Sequence, residues 1–184
     1  FWSILAGLIK FSIVILMAPV ILSGNTIEYT LITLYQGLDI KFRVDALGLT
    51  FATIASFLWV FTTFYSIGYM RSTKEHAQTR YFVCFAISLS AAVGIAFSAN
   101  LITLFVFYEF LSLATVPLVG HKETPEAEKG AIKYFLYLFT TSKTLLLTGI
   151  FIIYAVTGTT DFAAHGLLKG VPGSTLLFVA YFCF

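Results

Sequence analysis

Two ionisable residues lie deep in apolar runs, where charge is costly. Glu109 sits in NLITLFVFYEFLSLATVPLVG, about ten residues from each end, and Lys143 lies thirteen residues into a later apolar stretch that Lys133 enters near its basic end. A charge at the centre of a membrane helix costs on the order of 2.5–3.5 kcal/mol on insertion scales, so such a group faces other helices or water and has a partner. Low dielectric favours the neutral carboxylic acid and a nearby ammonium favours the carboxylate, so a moving cation can switch Glu109 between the two forms. That is the physics of a proton relay, with Glu109 as the acid and Lys133 and Lys143 as candidate relay cations. A static buried ion pair or hydrogen-bonded acid is the plainer alternative.

Around these residues the polar pattern is sparse. Lys133, Tyr137, Thr141, Thr144 and Thr148 recur at three- and four-residue spacing; such a stripe lines either a hydrated path or an interhelical contact. Lys10 interrupts the first apolar run and is read as snorkelling toward the interface in preference to joining a relay. Pro117, eight residues after Glu109, loosens the end of that helix as a hinge or marks its exit. His76, His121 and His165 fall in loops without metal-ligand spacing, so no metal is expected. Cys84 and Cys183 lie in apolar spans without CxxC spacing and read as buried small residues. With no Gly-rich phosphate loop, nucleophile elbow or haem motif, no cofactor is expected.

The elements that must position these residues follow from composition. The chain has 184 residues, 59% hydrophobic and 11% charged, with mean hydropathy +0.92. That is about half the charge of a soluble domain. Apolar stretches of roughly twenty residues or more match about 30 Å of hydrocarbon. The expectation is an all-α, polytopic transmembrane bundle in the lipid bilayer. Spans are placed at about 1–22, 45–70, 81–98, 100–120, 130–156 and 173–184, the last cut off. Residues 23–44 alternate and are punctuated by Gly24, Asn25 and Gly37, which reads as a loop or short hairpin. The run 81–120 would be about 60 Å as one helix, so a tight turn is placed at Ser98-Ala99-Asn100. Ala86, Ser90, Gly94 and Ser98 form a small-residue stripe suited to close packing.

A formal charge of +2, with its basic residues scattered, offers no positive patch for nucleic acid. Lys41, Arg43 and Lys169 fall on one side of the bundle, and Arg71, Lys74, Arg80, Lys122 and Lys129 on the other. The positive-inside rule places loops 71–80 and 121–129 on the cytoplasmic or equivalent side of a bacterial, archaeal or organellar inner membrane. The chain opens with Phe1 and stops in an apolar run at Phe184, and is expected to be a piece of a longer protein.

The order VDALGLTF, FYSIGYM, RYF, SANLITLFVFYEFLSLATVPLVG and EAEKGAIKYFLYL resembles the antiporter-like proton-translocating subunits shared by respiratory complex I, membrane-bound hydrogenases and Mrp-type cation/proton antiporters. The likeness spans about residues 40 to 155. It implies part of an inverted-repeat fold of about fourteen helices, with a membrane Glu on the fifth helix paired to a Lys on a broken seventh. Glu109 falls at the Glu position and Lys133 at a lysine position found at the start of the sixth helix in several members. The chain ends inside the seventh helix without that helix's Lys, and Lys143 departs from the pattern, where a small polar residue is more usual.

The resemblance implies a proton-translocating subunit of a complex I-related or hydrogenase-like translocase. It would hold no redox centre and would depend on partner membrane subunits for its driving reaction. Glu109 would load the proton, and Lys133 and Lys143 would pass charge along a hydrated path. The alternatives are an Mrp-type subunit exchanging sodium ions for protons, and an inactive structural spacer. A quinone site lacks any headgroup pocket beyond ordinary apolar residues.

Overall fold

The computed structural model describes residues 2–35, 37–163, 166–168, 173 and 175–183. His165, Lys169 and the side chain of Cys183 lie outside the described residues. Helix α1 (Trp2–Leu22) leads into an antiparallel hairpin, β1 (Ile27–Tyr35) and β2 (Leu38–Val44). Helices α2 (Ala46–Ser72), α3 (Gln78–Ala96) and α4 (Leu101–Val119) follow. Then α5 (Pro125–Thr141), a π-helical turn (Ser142–Leu146) and α6 (Leu147–Thr157) run on as one element, and α7 spans Thr175–Cys183. Among the described residues, five elements are long and apolar enough to cross a membrane: 2–22, 46–72, 78–96, 101–119 and 125–157.

Local chemistry sets the helix starts. Asp45, Asn100 and Thr124 each accept a hydrogen bond from the backbone N–H three residues on, so each is a side-chain N-cap. Thr124, Pro125 at the first helical position, and Glu126 and Glu128 in the first turn start α5 five residues before the Gly130 read from the apolar run. Pro and acidic groups suit a helix N-terminus, which hydropathy alone does not register. The joined element of 33 residues is about 50 Å long. Its charged first turns therefore extend past a hydrocarbon layer of about 30 Å.

Each long helix packs on the one before it, which puts the α2–α3 and α4–α5 connections at one end, the loop face, and the hairpin at the other. A Cβ on Gly94 would overlap the Phe107 ring, and one on Gly48 would press on the Ala96 carbonyl; both glycines let neighbouring helices approach closely. The stripe expected on α3 is shorter than read. Gly94 and Ser98 are buried, but Ala86 is half-buried and Ser90 is exposed. Residues four apart drift about 40° per step around a helix of 3.6 residues per turn, so the stripe leaves the contact. The buried face is Ser88, Ala91, Val93 and Gly94.

At the hairpin face the backbone is tied across elements. Arg43 N–H donates to Phe97 O at 2.7 Å, Ala99 N–H to Lys41 O at 3.0 Å, Leu101 N–H to Thr160 O at 3.0 Å and Phe162 N–H to Ala99 O at 2.9 Å. Asn100 stands at the crossing and is fully buried. Its Oδ1 accepts from Thr103 N–H at 2.8 Å, while its Nδ2 donates to Asp39 O at 2.7 Å and to Asp161 Oδ1 at 3.3 Å. On the hairpin itself Lys41 pairs with Glu28 at 2.7 Å. That hydrogen bond holds the Glu28 carboxyl below its usual range and the Lys41 ammonium above its own. The pair thus supports the hairpin at neutral pH. Its contribution fades as acid protonates Glu28 through the lowered value, or as base strips Lys41 through the raised one.

Replacing Asn100 with Ala removes the α4 cap and both cross-segment donors. A loss of about 1–3 kcal/mol is expected, read as a lower thermal midpoint in detergent, with Asn100→Asp falling between the two.

Candidate functional site

Glu109 is the ninth residue of the 19-residue α4 and projects toward α5–α6. There it meets Lys143, whose Nζ donates to Glu109 Oε2. The Glu109 side chain is 17% exposed and that of Lys143 is 32%. Glu109 Oε1 is buried with no hydrogen-bond partner among the described residues. The ammonium also lies 3.9 Å from the centroid of the Phe139 ring and 5.6 Å from that of Phe105. Ring faces attract cations, so Lys143 has aromatic partners besides its carboxylate.

Lys143 is carried by the π-helical turn, in which Leu147 N–H donates to Ser142 O, five residues back. Such turns are rare and concentrate at functional sites. Two turns from Glu109 toward the loop face, Thr115 Oγ1 and Tyr134 Oη lie 3.0 Å apart and link α4 to α5. Pro117 lies in the last turn of α4, which Gly120 closes by donating to Val116 O at 3.0 Å.

The structure brings Lys143, and not Lys133, to Glu109. Lys133 is exposed, as are Tyr137, Thr141, Thr144 and Thr148, so the stripe forms an open polar face on a membrane-length element. Lys10 does not snorkel. Its Nζ donates to Leu89 O on α3 at 3.3 Å and lies 4.9 Å from the Trp59 ring on α2. An inward carbonyl and a ring face are within reach, so the side chain satisfies its charge there without extending to the interface. Cys84 is a free thiol and is half-buried, not fully buried as read. Among the described residues no group of three or more His, Cys, Asp or Glu could hold a metal ion.

Two features escape a reading of the sequence. The π-helical turn has no glycine or proline within it to signal a break. His76 and His121 read as separate loop residues, yet their rings stack at 5.3 Å. The polar, charge-rich composition of both connections is the only hint that they meet.

Residues 98–184 match the family described as NADH:quinone oxidoreductase/Mrp antiporter, TM, and residues 34–82 match the NADH-Ubiquinone oxidoreductase (complex I), chain 5 N-terminus family. The chain is 29% identical over 160 residues to a protein described as putative antiporter subunit mnhA2 of Staphylococcus haemolyticus, covering 85% of this chain and 20% of that one. It is 31% identical over 156 residues to a Na(+)/H(+) antiporter subunit of Alkalihalophilus pseudofirmus, covering 81% and 18%. It thus spans about a fifth of the length of these relatives. Two solved structures share the fold. A chain of the membrane-bound sulfane sulfur reductase, an archaeal respiratory membrane complex, superposes with a TM-score of 0.80 at 21% identity, covering 98% of this chain and 37% of that one. A chain of the Mrp complex from a Dietzia species superposes with a TM-score of 0.76 at 19% identity, covering 98% and 33%.

The contact between Glu109 and Lys143 makes a stability ordering. Lys143→Met leaves a buried carboxyl unpaired and is expected to be about 1–3 kcal/mol less stable than the double variant Glu109→Leu/Lys143→Met, in which neither polar group remains. Unfolding of both in the same detergent measures the difference.

Proposed function

We propose that this chain, which belongs to the antiporter-like membrane family shared by complex I-type NADH:quinone oxidoreductases and Mrp antiporters, moves protons through the bilayer by way of a switchable pair, Glu109 and Lys143. The supporting observation is the contact itself: a carboxylate and an ammonium at mid-depth of two packed membrane-length elements, the ammonium between two aromatic rings. With Lys143 in contact, Glu109 is held as the carboxylate. When the ammonium leaves the carboxylate, the desolvated carboxylate takes up a proton, and its return drives the proton off. Lys133, on the exposed stripe of α5, lies ten residues from Lys143, about 15 Å toward the loop face, and is the next station for charge passed along that stripe.

The chain is an integral, multi-pass membrane protein. In this reading the loop face, rich in Lys and Arg, is the cytoplasmic side. The subunit supplies no redox chemistry of its own and works within a multi-subunit membrane complex that provides the driving reaction. Sodium/proton exchange in an Mrp-type assembly is the second reading, favoured by the names of the relatives. Sodium dependence of transport in the absence of any electron donor separates the two.

In the assembled complex reconstituted in vesicles, Glu109→Gln is expected to lower proton transport by about a hundredfold or more, the scale of losing an acid that itself carries the proton, with assembly intact. Normal transport by a fully assembled Glu109→Gln complex would leave the chain as a structural spacer.

A further inference from the structure

The two loop-face connections hold a cluster that the mid-membrane pair does not use. His76, between α2 and α3, and His121, between α4 and α5, stack with ring centroids 5.3 Å apart and 17° between their planes. Each faces its own carboxylate: His76 Nε2 lies 3.4 Å from Glu123 Oε2, and His121 Nε2 lies 4.0 Å from Glu75 Oε2. The two pairs differ in depth. The side chains of His76 and Glu123 are 48% and 52% exposed, those of His121 and Glu75 only 12% and 21%. Neither ring nitrogen of His121 has a hydrogen-bond partner among the described residues.

The surroundings fix this arrangement. From α3, Arg80 pairs with Glu123 and donates from Nη2 to the His121 carbonyl at 3.0 Å. The Tyr81 ring meets His121 edge-on at 5.7 Å, and its hydroxyl lies 3.4 Å from Ser66 Oγ on α2. Hydrogen bonding and charge from Arg80 hold the Glu123 carboxyl below its usual range, so His76 faces a standing negative charge. A cavity of about 270 Å³ is lined by Glu75, Tyr81, His121 and Lys122 and reaches Leu118 and Val119 on α4. From His121 to Glu109 is about 18 Å along that helix, and the polar groups of Thr115, Tyr134 and Ser112 stand between.

We propose that the stacked histidines are the site where protons are exchanged between the loop-face solution and the path to Glu109, His76 taking up the proton at the surface and His121 holding it one step inward. The inference rests on Glu109 being the proton-loading acid. Imidazole is the side chain whose ordinary charge change falls between pH 5 and 8, so it both captures and releases near neutrality. In uptake an O–H bond of hydronium breaks as an N–H bond forms on His76. The stacked rings hold their N–H bonds in their own planes, so a water relays the proton as the His76 N–H breaks and a His121 N–H forms. In release that N–H breaks as an O–H of water forms, and no electron moves. Glu75 and Glu123 face the two rings, and Arg80 and Lys122 add positive charge beside them.

The test compares His121→Asn, His76→Asn and Glu109→Gln in the assembled complex in vesicles, with proton transport read against loop-face pH. Each histidine variant is expected to lose about tenfold at alkaline pH, where protons are scarce, and progressively less at acid pH, with added imidazole restoring the rate. A loss equal at all pH and not rescued by imidazole, or an unchanged profile while Glu109→Gln is inactive, would overturn the exchange site and leave the path standing. Transport by Glu109→Gln would overturn the reading of Glu109 itself. Should His121→Asn fail to assemble, the exposed His76→Asn gives the same discrimination.

Discussion

A charge in hydrocarbon has to be matched where it stands, and this requirement organises the structure around Glu109. Hydrocarbon offers nothing to solvate a carboxylate, and the chain supplies an ammonium from the neighbouring element. The two charges are matched by one contact between side chains that carry their own torsional freedom. Lys143 has two ring faces within reach, so its departure does not leave the cation without an attractive partner. Lys10 shows the other solution: a backbone carbonyl and one indole face, with no acid to exchange with. The first arrangement pairs two opposite charges across packed elements; the second fastens α1 to α2 and α3.

That pair stays in register because both ends of the bundle are tied. At the hairpin face, Asn100 joins α4 to the hairpin and to the segment after α6. The Glu109 helix and the Lys143 element are thereby anchored at one level. At the other end, Arg80 ties the start of α3 to the α4–α5 connection through Glu123 and the His121 carbonyl. Between these anchors the Lys143 turn is π-helical, the one place where the ladder of the long element changes its hydrogen-bond spacing among the described residues. The tied ends and the irregular middle meet at the turn that carries Lys143.

Much of this is legible in the sequence, because the signals are physical. The bilayer demands long apolar runs, and the runs around Glu109 and Lys143 by themselves place both residues near mid-depth. The order of short motifs also carries the family resemblance, which holds. What is not legible depends on partners distant in sequence or on backbone detail. Lys10 turns inward because Leu89 and Trp59 happen to face it. Lys133 turns outward although it shares an element with Lys143. The His76 and His121 stack needs two loops to meet, and no local pattern states that they do. Helix α5 begins before the span read from hydropathy, because hydropathy reads charge as loop, whereas Thr124, Pro125 and Glu126 read together spell a helix N-terminus.

The central claim is that Glu109 changes protonation state as Lys143 moves. Infrared difference spectroscopy on the working complex tests it most directly, through the carbonyl stretch of a protonated carboxylic acid assigned by its loss in Glu109→Gln. The account predicts a band that appears and disappears during turnover and that persists in Lys143→Met, where no ammonium drives the proton off. A Glu109 that remains a carboxylate throughout turnover, in a complex that still transports protons, would contradict it.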